Sequence, residues 1–281
     1  MISGLAQSSS NAAFILDDEA TWPSKLKDIL ENGLPALRAF YEEDARIERL
    51  QRDDVMLRIH EPSNPHRQRK NDMHAAVEEA LAGLSIVGWH CTRLCSDEIK
   101  LLLRDGMYPL SPETFAARLQ RRVEAGDIPA DEQKTFEERN QAKDANRQML
   151  WLIFSKSLLR CESGIGRLFT SWGGEALYNS HESNAHTGAI LRSIGRPCIV
   201  EVELPIEKID AHWEPAEWIA RPYLHRRGIN DGHNPERDGH THEKIGPERI
   251  RRVISIDDPD FDVFTGSSNW RHPLRDAAAS G

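Results

Sequence analysis

Between Lys25 and about Gln51 the apolar positions Leu26, Ile29, Leu30, Leu34, Leu37 and Phe40 recur at helical spacing. Trp22-Pro23-Ser24 marks the start of that helix, with Ser24 as the expected N-cap. Gly33 and Pro35 are expected to kink or split it. The polar stretch from Glu61 to Arg69, with Pro62 and Pro65, reads as a linker. A second helix is expected over Asp72 to Ala82, stopped by Gly83. The apolar run Leu84-Ser85-Ile86-Val87-Gly88-Trp89 then reads as a strand that continues into His90-Cys91-Thr92-Arg93-Leu94. Residues two apart on a strand share a face, so His90 and Thr92 point into the same space. A short helix over Asp97 to Arg104 follows and ends at Gly106.

Past Gly106, Ser111 is the expected N-cap of a helix that has Pro112 at its first position. From Pro112 to about Phe154 the chain reads as a highly charged helical insertion. It is interrupted near Gly126 to Pro129 and anchored by Trp151-Leu152-Ile153-Phe154. Its charges are expected on solvated faces. The second half turns to strands: Leu168-Phe169-Thr170, Cys198 to Leu204, and Arg251 to Ile256 before the turn Asp257-Asp258-Pro259-Asp260. The strand from Cys198 alternates, with Ile199, Glu201 and Glu203 on one face. Arg221 to His242 is rich in Gly, Asn, Asp and His and reads as a long loop, a length that is usually functional. The Ser/Asn-rich first dozen residues are expected to lack order, and the tail after Trp270 to be loosely held. The expected organisation is a helical region over 1–83, an α+β domain over 84–266 with an insertion at 112–160, and a tail over 267–281.

Composition narrows the function classes. The chain has 281 residues and net charge −9, which weighs against broad, nonspecific coating of DNA but leaves a local basic groove open. No apolar run approaches a membrane span, so no membrane partner is expected. The first ten residues lack the basic and apolar regions of a secretion signal. Cys91, Cys95, Cys161 and Cys198 show no disulfide spacing, which suits a reducing, cytoplasmic home. Arg221, Arg226 and Arg227 surround Tyr223 in a patch able to hold RNA or a phosphate, although a solvated loop is the plainer reading. His225, His233, His240 and His242 fall in the same stretch. Only His240-Thr241-His242 has ligand-like spacing, and no tight pair sits on regular structure, so no metal is assigned.

Three segments carry more information together than apart. They are Trp89-His90-Cys91-Thr92-Arg93-Leu94, then Gly166-Arg167-Leu168-Phe169-Thr170-Ser171-Trp172-Gly173-Gly174-Glu175-Ala176-Leu177-Tyr178, then His242-Glu243-Lys244-Ile245-Gly246-Pro247-Glu248-Arg249-Ile250. In that order, over roughly residues 84–256, they resemble the ADP-ribosyltransferase fold in its His-Tyr-Glu branch, shared by poly-ADP-ribose polymerases and diphtheria-like toxins. The resemblance implies a split, mostly antiparallel sheet, with a helical extension before it and a helical insertion inside it. It implies NAD as substrate, with ADP-ribose passed to a protein or nucleic-acid acceptor and nicotinamide released. His90 would bond a ribose hydroxyl with Thr92 in support, Tyr178 would stack on nicotinamide, and Arg93 would contact the diphosphate. Glu243 would bond the nicotinamide ribose and stabilise the oxocarbenium-like sugar that forms as the glycosidic bond breaks. Glu201 and Glu203 compete for that role, in the manner of the family's Arg-Ser-Glu branch. Cys91 stands where the family usually has glycine. A toxin, effector or defence role, with a neutralising partner protein, is in keeping with the family. The alternatives are an NAD-using RNA 2′-phosphotransferase and an inert RNA- or protein-binding module acting through the Arg221–Arg227 segment.

Overall fold

The structure, a computed structural model, describes residues 13–60, 62–210, 214–229, 237–272 and 274. In chain order its main elements begin with α1 (Ser24–Asp53), α2 (Val55–Ile59), α3 (Arg67–Leu81), β1 (Ser85–Leu94), α4 (Ser96–Asp105), α5 (Pro112–Glu124) and α6 (Gln133–Glu138). They continue with β2 (Leu150–Ile153), α7 (Glu162–Thr170), α8 (Glu175–His181), α9 (Ala185–Ser193), β3 (Arg196–Pro205), α10 (Pro215–His225), β4 (Asp238–Thr241), β5 (Ile250–Ser255) and α11 (Pro259–Thr265). The class is α+β. The described residues fall into two compact units: 13–86 with 205–207 and 214–229, and 87–204 with 208–210 and the described residues from 237 onward.

The first unit is helical apart from the start of β1. The stripe read from sequence is the packing face of α1: Leu26, Leu30, Leu37 and Phe40 are buried, joined by Tyr41 and Ile47. Pro23, not Ser24, occupies the N-cap position, and no side chain caps this end. Helix α1 runs through Pro35 as a single element, where a break was expected. Gly33 has a different task. A Cβ there would lie 2.5 Å from Met73 Cγ, so its bare backbone lets α3 come close. Helix α3 begins at Arg67, inside the expected linker. Part of the expected long loop is helix α10, which packs on α1 and α3 and carries Arg221 to His225. Its Glu217 accepts from Lys70 at 2.9 Å and from Arg221 at 3.0 Å, with all three side chains largely shielded from water. The expected disorder of the first dozen residues and the position of His233 lie outside the described residues.

The second unit is built on a sheet of five strands in the order β4-β2-β1-β3-β5. Trp89 faces Ile153 across the antiparallel β1–β2 pair. Strands β2 and β4 pair antiparallel from Leu150↔Thr241 to Ile153↔Asp238, and β3 and β5 from Cys198↔Ser255 to Val202↔Ile250, with a register shift after Glu201. Three sequence expectations change here. Trp151 to Ile153 is strand rather than the end of a helix: Leu150 and Leu152 are buried while Trp151 is exposed, the period-two pattern of a strand. Leu168-Phe169-Thr170 lies in helix α7 instead of a strand. The insertion is no solvated helix pair either. Phe115 and Leu119 of α5 and Phe136 of α6 form a core cluster with Trp172, Leu177, Leu191 and Ile194. The expected cap of α5 is present: Ser111 Oγ accepts from Thr114 N at 3.1 Å, Thr114 Oγ1 accepts from Ser111 N at 2.7 Å, and Pro112 opens the helix.

Helix α4 ends at Gly106, as its sequence implies, with φ of +89°. That conformation turns the chain so that Met107 and Ile245 exchange backbone bonds of 2.8 and 2.9 Å. A side chain at residue 106 would run into the Ile245 carbonyl. The segment after Trp270 is held rather than loose as far as residue 272. Trp270 is buried with its Nε1–H donating to Thr265 O, and the backbone N–H groups of Arg271 and His272 donate to Glu162.

Candidate functional site

Strand β1 occupies the middle of the sheet, with β2 on one side and β3 on the other. Alternation along it puts Trp89, Cys91 and Arg93 on one face and Gly88, His90 and Thr92 on the other. Gly88 sits against Leu152 and Phe154, which places both of those on the His90 face. His90 and Thr92 are the two partly exposed positions between Ile86 and Leu94. The His90 Nδ1 lies 2.8 Å from the Trp151 carbonyl. A carbonyl only accepts, so Nδ1 carries the proton and Nε2 presents a bare lone pair. Burial holds the His90 pKa below its ordinary value; the Trp151 bond opposes that shift and the nearby Arg118 cation adds to it. The ring is therefore a neutral imidazole of fixed tautomer, an acceptor suited to a hydroxyl.

Arg118, the cation that acts on His90, comes from the insertion helix α5. Its guanidinium binds Glu98 Oε1 through Nε at 3.0 Å and Nη2 at 2.9 Å, and lies 5.0 Å from the Trp172 ring centre. Glu98 is buried and also accepts from Trp172 Nε1 and from Cys95 N, both at 3.0 Å. Burial alone would raise its pKa; Arg118 and the other donors outweigh that, so the carboxylate is held below its usual range. The resulting unit, Glu98 with Arg118 and Trp172, fixes a partly exposed cation near enough to His90 to lower its pKa. Sequence reading missed Arg118 because the insertion looked like a solvated face.

The other residues expected in the site have different surroundings. Arg93 is 2% exposed, and its guanidinium donates to the carbonyls of Ile194, Phe169, Arg192 and Gly195 at 2.6–3.0 Å. It is a structural clamp on the face opposite His90, and the expected diphosphate contact is corrected on that ground. Tyr178 is 3% exposed, donates its hydroxyl to Glu175 Oε1 at 3.0 Å, and has the Arg167 guanidinium 4.3 Å over its ring. Its ring is already covered, so a stacking role with nicotinamide does not fit this arrangement. Arg147 pairs with the same Glu175. Cys91 is buried on the face away from His90, and burial pushes its thiol pKa up. Its side chain therefore does not obstruct the backbone on the His90 side.

Among the acids, Glu243 lies in the bend after β4 and accepts from Lys208 Nζ at 2.6 Å with its side chain 60% exposed. Antiparallel register sets His90 level with Leu152, which pairs with Gly239. Glu243 is four residues beyond that row, roughly 13 Å at strand rise and two strands away. The structure does not bring it against His90. Glu201 is buried on the Trp89 face, accepting from Trp89 Nε1 at 3.1 Å and pairing with Arg251 at 3.1 Å and Arg252 at 3.6 Å. Glu203 meets Arg251 at 3.7 Å. Both compensate strand charges on β5, as expected for acids opposite arginines. The arginines of the basic patch are ion-paired: Arg221 with Glu217, and Arg226 and Arg227 both with Glu19 at 2.6 and 3.0 Å.

One further cluster forms at β4, the end strand of the sheet order. Asp210 and His240 exchange backbone bonds of 2.8 and 2.9 Å. This brings the Asp210 carboxylate beside His240 and His242, with all three ligand-capable atoms within 4.8 Å of one another. Asp210 had no signal in the sequence, because its partner lies thirty residues away. Comparison of the chain with protein-family models, with curated proteins and with solved structures finds no match to any of them.

Proposed function

We propose that the chain is an NAD-dependent ADP-ribosyltransferase whose dinucleotide binds over the His90 face of β1. The observation that carries this reading is the His90 imidazole, held neutral by its surroundings and fixed in one tautomer by the Trp151 carbonyl, with Thr92 beside it. The bare Nε2 accepts a ribose hydroxyl and Thr92 adds a second polar contact. Arg118, in place of Arg93, supplies charge for the diphosphate: with Nε and Nη2 bound to Glu98, its Nη1 remains for an anion. Glu243 is the acid assigned to the reacting ribose. The bond between the sugar C1′ and the nicotinamide nitrogen breaks, and its electron pair leaves with nicotinamide. A bond from C1′ to the acceptor nucleophile forms, and the carboxylate takes the nucleophile's proton. This role requires Glu243 to exchange Lys208 for the ribose.

A second reading has its own support. Glu243 bonded to Lys208 and apart from His90, together with the covered ring of Tyr178, suits an inert nucleotide-binding module. A fold by itself licenses no activity. Incubation of the full chain with NAD labelled on its adenosine part, with protein and RNA acceptors, separates the two. Nicotinamide release that Glu243→Gln abolishes and His90→Ala reduces supports the transferase. Calorimetric NAD binding that needs His90, with no release by the wild type, leaves the binding module. No NAD binding at all sinks both.

A further inference from the structure

We propose that Asp210, His240 and His242 form a binding site for a divalent transition-metal ion of the zinc class. The proposal is independent of the NAD reading, since it uses other residues at the edge of β4. Two imidazoles and one carboxylate are a donor set suited to zinc, cobalt, nickel or iron, whereas magnesium and calcium favour oxygen alone. The backbone sets the geometry. The paired bonds between residues 210 and 240 fix the two Cα positions side by side. His242, two residues on, turns its ring edge-on to His240, with ring centres 5.2 Å apart.

The surrounding contacts aim the ligand atoms. His242 Nδ1 lies 3.3 Å from the Gln148 carbonyl, so Nδ1 is the donor and Nε2 is left as the ligand atom. A hydrogen bond of that kind behind a ligating imidazole is the usual way such rings are oriented. His242 Nε2 faces Asp210 Oδ2 at 3.9 Å. Ring contact with Trp151, at 4.7 Å between centres, positions His240. Ligands about 2.0–2.2 Å from a tetrahedral ion lie roughly 3.4 Å from one another. The present spread closes to that by small rotations of Asp210 and His242, both exposed. Three protein ligands leave one position for water or for another ligand.

The test uses the full chain freed of metal by a chelator, with zinc chloride titrated by calorimetry and cobalt chloride followed by absorption. The expected result is one equivalent bound at micromolar affinity or tighter, and a cobalt spectrum without thiolate charge-transfer bands. Asp210→Asn and His242→Gln both keep the backbone and sit at exposed positions. Each is expected to weaken binding at least about tenfold, while His186→Gln, far from the cluster in sequence, leaves it unchanged. Absence of saturable binding up to millimolar zinc overturns the proposal. So does binding that survives both substitutions, or a cobalt spectrum with thiolate bands. Circular dichroism of each variant, unchanged from wild type, certifies that a loss reports the ligand and not the fold.

Discussion

Arg93 and His90 stand three residues apart on one strand with opposite tasks. The guanidinium of Arg93 reaches carbonyls 76 to 102 residues away and ties β1 to the end of α7 and the turn before β3. His90 bonds the Trp151 carbonyl through Nδ1 alone. The sequence shows that both are polar residues at a strand end. It does not show which carbonyls will converge on Arg93, because those acceptors come from backbone placed by the tertiary fold. The two therefore separate by experiment. Arg93→Ala removes the donor to four carbonyls, those of Ile194 and Phe169 buried and those of Arg192 and Gly195 half-buried, and is expected to cost about 3–5 kcal/mol of stability, read from urea midpoints. His90→Ala is expected to change the stability much less and, on the NAD reading proposed above, to weaken NAD binding. If Arg93→Ala folds with wild-type stability, the clamp is misassigned.

Element by element, the legible parts are those with long periodic patterns or explicit punctuation. The stripe of α1, the Ser111-Pro112 start of α5 and the Gly106 stop of α4 all depend on local chemistry, and all are in place. Short apolar runs are not decided locally. Leu168-Phe169-Thr170 packs as helix because Ile165 and Phe169 share one buried face at a spacing of four. Trp151-Leu152-Ile153 is strand because β1 and β4 supply backbone partners on both sides. Neither neighbour is visible within a window of a few residues. Gly106 shows how much one punctuation residue holds. Its positive φ and its approach to the Ile245 carbonyl exclude any side chain. Gly106→Ala is expected to cost about 1–3 kcal/mol, and to speed amide hydrogen exchange at Met107 and Ile245, whose mutual bonds depend on that turn. Wild-type exchange at both amides would show that the turn tolerates a Cβ.

At the scale of the whole molecule, each unit buries imidazoles in neutral form, and this predicts how stability follows pH. His74, buried in the first unit, has its pKa lowered to about 4, chiefly by burial with help from Lys70 and Arg221. His90 and His181 in the second unit are lowered as well, burial being the largest cause in both. In the unfolded chain these groups titrate near the ordinary histidine value of about 6.5. Between about pH 6.5 and 4 the unfolded state thus binds more protons than the folded one, and stability falls as pH falls. For His74 the contribution is fully present above about 6.5 and lost by about 4, a change on the order of 3 kcal/mol. Glu98 and Glu217, both held below the usual carboxylate range, act in the same direction but lower down: their contribution is present above about 4.5 and lost below it. The loss of stability on acidification should therefore begin near pH 6, above the window in which Glu98 and Glu217 add to it. Urea midpoints measured from pH 7.5 to 4.5 should decline across this window, and His74→Phe should flatten the decline. A midpoint that stays constant down to pH 5 in the wild type would mean that these imidazoles are not buried in neutral form.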